Sequence, residues 1–313
     1  MSNPEEPQTS THEIRAAPLN GHLAVAVTFF YDESRFGYLE QIAQHYPHLA
    51  TQTSVWVVTN TRDEAAHQKI HQVFNGVELH IVVPSHLGHP LLLPWFHRDI
   101  FAELYRTRPE VSHFLYVEDD LEVTPENVRY WLEAREVLRP FSLIPSFLRV
   151  EEGPDGHLYS SDVYRSAHIG NLPRLIDSEG YWVNLRYPYQ ASYLMDQELM
   201  AEFLQSPTQS PDSGTWPIRE KATQGLIYSN VPKGCFSRAF IRVGADGGIP
   251  GAARIHHLPN NYAMKKGNKY GGLRVGELVR TQGIRIPTPV QELNKLVSLR
   301  IPKRRRFMVH HLD

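Results

Sequence analysis

The run Phe114–Val117 is wholly apolar and is followed at once by Glu118, Asp119 and Asp120. Few folds accept such a junction. A short apolar run of this kind reads as a buried strand. Carboxylates crowded at its end repel one another and lose hydration unless a cation sits on them. A divalent metal meets that need, because Mg²⁺ and Mn²⁺ take carboxylate oxygens and share them with substrate phosphates. The junction therefore points to a strand ending at a nucleotide-diphosphate site; the other reading is a solvated acidic turn.

The chain before this point alternates strand and helix signals. His22–Phe30, Ser54–Thr59, Val77–Val83 and His113–Val117 are rich in β-branched and aromatic residues. Helical spacing of apolar residues covers Phe36–Tyr46, then about Asp63 to Phe74, then about Leu93 to Arg106. This rhythm predicts an α/β fold with a mostly parallel sheet flanked by helices. Ligands in such sheets sit beyond the carboxyl ends of the strands. After the acidic cluster, Thr124 suits an N-cap, Pro125 the first helical position and Glu126 the positive end of the dipole. Val128, Trp131, Leu132 and Leu138 give that helix an apolar face, and Pro140 ends it. The carboxylates are thus expected on a short turn between a buried strand and a packed helix.

The second half is less regular. Short strands are expected at Ser146–Val150, Leu158–Tyr159, Tyr181–Leu185 and Phe240–Val243, and a helix over Tyr193–Leu204. Trp216–Tyr228 reads as partly helical, while Ser206–Thr215 and Gly244–Gly251 carry loop residues. The organisation expected is a mobile arm over 1–20, a nucleotide-binding half over 21–140, an acceptor half over 141–264 and a basic extension over 265–313. In that extension Lys303-Arg304-Arg305-Arg306 is either a contact for an anionic membrane surface or a solvated end.

Composition narrows the class. At 313 residues and 41% hydrophobic, the chain can bury a sizeable core. A net charge of −2 does not suggest a nucleic-acid binder. Cys235 is the sole cysteine, so intramolecular disulfides are excluded, and no apolar run reaches membrane-spanning length. The polar start, with Pro4, Pro7 and Pro18, lacks signal-peptide character. A cytoplasmic protein is expected.

The segment Val117-Glu118-Asp119-Asp120-Leu121-Glu122-Val123-Thr124-Pro125 resembles the EDD motif region of family 13 glycosyltransferases, the N-acetylglucosaminyltransferase I type. The match is confined to that segment; elsewhere the agreement is one of pattern. The resemblance implies a GT-A type, Rossmann-like fold and an inverting transfer of GlcNAc or another hexose from a UDP-sugar. It implies Asp120 as ligand of Mn²⁺ or Mg²⁺, with Glu118 and Asp119 near the ribose and the sugar. It also implies that His97, on the helix before the motif strand, approaches the nucleotide with Arg98 beside it; a helix-surface histidine is the alternative.

Strand-end positions supply the remaining candidates. Thr28, Tyr31 and Arg35 follow the first strand, where an aromatic can stack on a base and an arginine can meet a diphosphate. Alternatively Ser34 is a helix cap and Arg35 a surface charge. Asn60, Arg62 and Asp63 share that rim, and a carboxylate there can pair with uracil. Arg149, Glu151 and Glu152 end a later strand that faces donor or acceptor, or are merely its polar end. Similarity to GT-A enzymes at large implies a C-terminal histidine at the metal. Here that is His256 or His257, with His257 preferred, and with Asn260, Asn261, Tyr262, Lys265 and Lys266 closing over the diphosphate. An inverting transfer needs a base. Glu220, in Trp216–Lys221, is the candidate, with Asp196 and Glu198 as rivals; otherwise Glu220 is a surface charge paired with Arg219 or Lys221.

The expected activity is a metal-dependent transfer from a UDP-sugar to a saccharide or lipid-linked saccharide. Two rivals stand beside it. A sugar-nucleotide nucleotidyltransferase would carry a Gly-rich phosphate loop after the first strand, where this chain has no glycine before Gly37. A calcium-dependent carbohydrate-binding protein fits the α/β rhythm poorly.

Overall fold

The computed structural model describes residues 17–283 and Leu299. The expectations for residues 1–16 and for Lys303–Arg306 lie outside the described residues. In chain order the longer strands are β1 (Leu19–Phe29), β2 (Ala50–Thr59), β3 (Glu78–Val82) and β4 (Val111–Glu118). Shorter ones follow: β5 (Leu121–Glu122), β6 (Ile144–Pro145), β7 (Leu148–Glu152), β8 (Leu158–Ser160), β9 (Ala167–His168) and β10 (Arg174–Asp177). The last are β11 (Gly180–Val183), β12 (Ser192–Asp196), β13 (Ala239–Gly244), β14 (Arg254–His257), β15 (Leu273–Arg274) and β16 (Val279–Arg280). The helices are α1 (Phe36–Ala43), α2 (Glu64–Val73), α3 (His97–Thr107), α4 (Pro125–Leu138), α5 (Gln197–Gln205) and α6 (Ile218–Ala222).

The strands form four sheets, ordered β12-β4-β1-β2-β3, β10-β11-β13-β6, β15-β8-β7-β14-β5 and β16-β9. In the first sheet β1, β2, β3 and β4 run parallel, and β12 closes the edge antiparallel to β4. Leu23, Val25 and Val27 on one face of β1 and Ala24 and Ala26 on the other are fully buried. Burial on both faces is the condition of a central parallel strand, and it explains the unbroken apolar run.

The expected GT-A architecture, one Rossmann-like sheet followed by a less regular acceptor half, is corrected here. Among the described residues the second half, joined by β5, builds three further sheets, from strands mostly two to five residues long. The Tyr193–Leu204 helix is also corrected. Its first residues pair with β4, Ser192 opposite Val117 and Asp196 opposite His113, and the helix starts only at the Asp196 cap. Tertiary pairing at an open sheet edge overrides local helical spacing. Among the described residues no helix is long and apolar enough to cross a membrane.

Two features fix the acidic turn. At its far side, the Thr124 hydroxyl accepts from Asn127 N–H at 3.4 Å while the Asn127 side chain accepts from Thr124 N–H at 2.8 Å, a reciprocal cap. Val128, Trp131 and Leu138 then bury one face of α4. Immediately after the turn, β5 pairs with β14. The turn therefore joins the first sheet to the third.

Candidate active site

Glu118, Asp119 and Asp120 leave the carboxyl end of β4 with 4% of each exposed. Burial raises the cost of charge on all three, so their partners decide their state. Arg35, at the end of the short turn before α1, grips two of them. Its Nε and Nη2 donate to Asp119 at 2.8 and 2.7 Å, and Nη2 also donates to Asp120 Oδ2 at 2.8 Å. Arg219 on α6 donates to both oxygens of Glu118, at 3.3 and 2.6 Å. Burial pushes the Asp119 carboxyl up to about 7 despite Arg35, with Asp120 and Glu118 adding repulsion. Glu118 is likewise raised, by burial, against the pull of Arg219. The arginine pKa values move up in return, Arg35 through its bond to Asp119 and Arg219 through the charge of Glu118.

Asp120 behaves differently. Burial acts to raise its pKa, but His257 and Arg35 outweigh that and hold it below the usual carboxylate range. His257 Nε2 lies 3.6 Å from Asp120 Oδ2, and its Nδ1 meets Glu151 Oε1 at 2.5 Å. Burial lowers the imidazole pKa; Asp120 and Glu151 more than reverse this, and the net shift is upward. Glu151 is itself fixed by the backbone N–H groups of Tyr262 and Ala263, at 2.7 and 2.6 Å. Of the two neighbouring histidines, His257 is buried and faces the site, whereas His256 is exposed. Strand alternation along β14 separates them.

This donor set fits a divalent cation. Asp120 Oδ1 is buried and has no hydrogen-bond partner among the described residues. Opposite Asp120 stands an imidazole whose second nitrogen rests on a carboxylate, the arrangement that orients metal-ligating histidines. Among the described residues no group of three or more His, Cys, Asp and Glu side chains is placed to hold a metal. A two-residue set suits an ion that completes its coordination with substrate phosphates and water.

Beside the cluster opens a cleft of about 260 Å³, with Thr28, Phe30, Asp32, Arg35, Asp119 and Arg219 on its walls. Phe30 is 42% exposed there. The structure thus brings Thr28, Arg35, Glu118, Asp119, Asp120 and His257 into one region. Tyr31 is turned away: its ring packs edge-on against Phe29 and Phe36, and Phe30 takes the wall position. Asn60 accepts the backbone N–H of Tyr31, and Asp63 caps α2. Arg149 pairs with Asp162 through two hydrogen bonds, both side chains buried, and stacks between Tyr189 and Tyr262. Lys265 is exposed, in the turn after the Tyr262–Ala263 backbone.

His97 and Arg98 are corrected by their surroundings. His97 is fully buried among Phe101, Tyr116 and Tyr193, with Nε2 at 2.5 Å from the Tyr193 hydroxyl. It is a core residue. Arg98 stacks 3.8 Å over Trp95 and donates to the carbonyls of Thr208, Lys221 and Ala222, which anchors α6. Asp196 caps α5 and accepts from Arg135 at 2.7 Å, at the opposite end of β4 from the cluster. Glu198 pairs with Arg139 on that same distant side. On α6 it is Arg219, not Glu220, that lines the cleft. The sequence presents Arg219 only as a partner for Glu220; its bonds to Glu118 join segments far apart in the chain and leave no local signal.

No protein-family model matches the chain, and no curated protein matches it. Among solved structures it is similar to S. aureus TarS. With the TarS 1-349 crystal structure it shares 13% identity and a TM-score of 0.37, over 65% of this chain and 56% of that one. With TarS itself the TM-score is 0.36 at 13% identity, covering 58% and 29%. With TarS 1-349 in complex with UDP-GlcNAc it is 0.34 at 13% identity, covering 58% and 47%. The chain thus spans about half or less of the length of these structures. Likeness this slight carries no functional weight. The resemblance to family 13 is corrected here: no family model supports it, and the described strands form several separate sheets where a single Rossmann-like sheet was expected.

Proposed function

We propose that the chain is a glycosyltransferase that moves a sugar from a UDP-sugar to a hydroxyl of a saccharide acceptor, with Mn²⁺ or Mg²⁺ held by Asp120 and His257. One observation carries the reading. At the carboxyl end of β4, beside an open cleft, buried Oδ1 of Asp120 has no partner among the described residues, and a carboxylate-backed imidazole lies 3.6 Å from the same side chain's Oδ2. When bound, the ion neutralises charge developing on the departing diphosphate.

The protein groups have separable roles in this scheme. Glu151 fixes the His257 ring and its tautomer. Arg35 and Arg219 are aimed at the cluster from two sides and offer planar, multi-donor cations to phosphate oxygens. Phe30 offers an exposed aromatic face for the base. Asp119 and Glu118, both on the cleft wall, accept from hydroxyls of the ribose and the donor sugar.

Calorimetric titration of UDP, with and without Mn²⁺, is the test. UDP binding is expected to tighten with Mn²⁺ and to lose that gain in Asp120→Asn. Equal binding by the variant, or no effect of Mn²⁺ on the wild type, overturns the reading.

A further inference from the structure

We propose that a second region of the surface, outside the donor cleft, binds an anionic glycan as the acceptor; as an acceptor site it rests on the transferase reading above. The region is a cleft of about 330 Å³ whose walls include Tyr164, Arg165, Arg186, Tyr187 and Arg280. Arg186 and Tyr187 also form the near wall of a larger cleft of about 690 Å³, which contains the stacked rings of Trp216 and Tyr228. Together the two make one track.

Its charge is one-sided. No carboxylate lines either cleft among the described residues. None of Arg165, Arg186 and Arg280 forms an ion pair with a described residue. Elsewhere Arg35, Arg108, Arg135, Arg149, Arg219, Arg238 and Arg242 each sit on a carboxylate, while Arg62, Arg98 and Arg254 donate to backbone carbonyls. In a chain of net charge −2, a tract of arginines that meets no acid among the described residues is not explained by composition. Arg165 and Arg186 lie over the rings of Tyr164 and Phe236 at 5.3 and 5.0 Å, and their guanidinium forks match phosphate or carboxylate.

The aromatics supply the second half of the recognition. Tyr187 is 40% exposed and stacks on Tyr164 at 5.6 Å, and Lys269 lies 4.0 Å over the Tyr164 ring. Flat, half-exposed rings give apolar faces to sugar rings, while the cations take the charged substituents. A neutral glycan needs the rings but not three arginines that meet no described acid. A free inorganic anion needs the arginines but not the rings.

Position ties the track to the chemistry. α6 presents Arg219 to the donor cleft and Lys221 to the larger cleft, so a five-residue helix separates the two. A chain lying in the track therefore ends beside the donor site.

Binding is measured on the whole chain with a short oligogalacturonate, a phosphorylated oligosaccharide, maltohexaose, inorganic phosphate and oligo-dT. The expected result is binding of the carboxylated or the phosphorylated glycan, the arm that responds naming the charged group. That affinity falls roughly tenfold or more in Arg165→Ala and in Arg186→Ala. UDP binding stays unchanged in both variants. Equal binding of maltohexaose, phosphate binding as tight as the glycan, preference for oligo-dT, or affinity unmoved by both substitutions overturns the proposal. Glycan binding that survives while Mn²⁺-dependent UDP binding fails rejects the transferase reading alone.

Discussion

His97 shows how strongly surroundings decide what a residue does. A histidine on the helix leading to an acidic motif reads as a nucleotide contact, yet the ring lies sealed among aromatics at 0% exposure. Burial holds its pKa well below the ordinary histidine value. Above about pH 6.5 both folded and unfolded chains carry it neutral. As pH falls below that point, the unfolded chain gains a proton that the folded chain refuses, so stability is lost. In His97→Phe this loss is absent, although the Tyr193 hydroxyl is left without its partner. The substitution should therefore destabilise at pH 8, and its cost should shrink by about 1.4 kcal/mol per pH unit below about 6.5. Urea unfolding of both proteins from pH 8 to pH 5 measures this; a cost independent of pH contradicts the buried neutral ring. Arg35 provides the opposite lesson, since its removal leaves Asp119 and Asp120 facing each other inside the protein. Arg35→Ala should cost about 2–3 kcal/mol without metal. Added Mn²⁺ should recover part of that cost in the variant, which thermal unfolding with and without the ion would show.

At the scale of elements, α6 is the least self-sufficient piece of the site. Five residues cannot hold a helix by themselves. Its position comes from outside: Trp95 Nε1 donates to the Ile218 carbonyl at 2.9 Å, and Arg98 donates to the carbonyls of Lys221 and Ala222. Those bonds place Arg219 on Glu118. Arg98→Met keeps an apolar stem but removes the donors and the guanidinium stacked on Trp95, so α6 should exchange its amide hydrogens faster while β4 stays protected. UDP affinity should fall in the same variant, through Arg219. Hydrogen exchange with mass readout separates the two elements, and unchanged exchange in α6 would remove Arg98 from this role. What the sequence makes legible follows the same line. β1, β4 and α4 carry their own signals: an unbroken apolar run, a run ending in acids, and a Thr124–Pro125 cap. β12 carries none, because it is made by the open edge of β4; α6 shows only within the partly helical reading of Trp216–Tyr228, and its place is set by side chains from a distant segment. Within the site, the strand-borne carboxylates were readable as a cluster at the end of β4. Arg219, Phe30 and Glu151 take their roles from contacts between segments far apart in sequence, which spacing does not record.

Across the whole molecule, β4 has two charged ends with separate duties. At its carboxyl end lies the cluster with Arg35, Arg219 and His257. Five positions back, opposite His113, lies Asp196, roughly 16 Å along the strand. There it caps α5 and binds Arg135, whose side chain is only 5% exposed. This end ties α4 to α5; it does not face the donor cleft. Asp196→Asn should therefore lower stability by about 1–3 kcal/mol through the lost charge-assisted bond and leave Mn²⁺-dependent UDP binding intact. Glu151→Gln should do the reverse. Glu151 is fully buried and ties the third sheet to the acidic turn through His257. Glutamine keeps the shape but replaces one acceptor oxygen with an NH₂ group, which must face either the backbone N–H groups or the imidazole. Mn²⁺ affinity should then drop about 10–100-fold, the range seen when the group supporting a ligating histidine is removed. Measured together by denaturant unfolding and by UDP titration in Mn²⁺, the two variants should fall on different axes. If Asp196→Asn abolishes UDP binding, or Glu151→Gln leaves the Mn²⁺ dependence untouched, the division of β4 into a structural end and a chemical end is wrong.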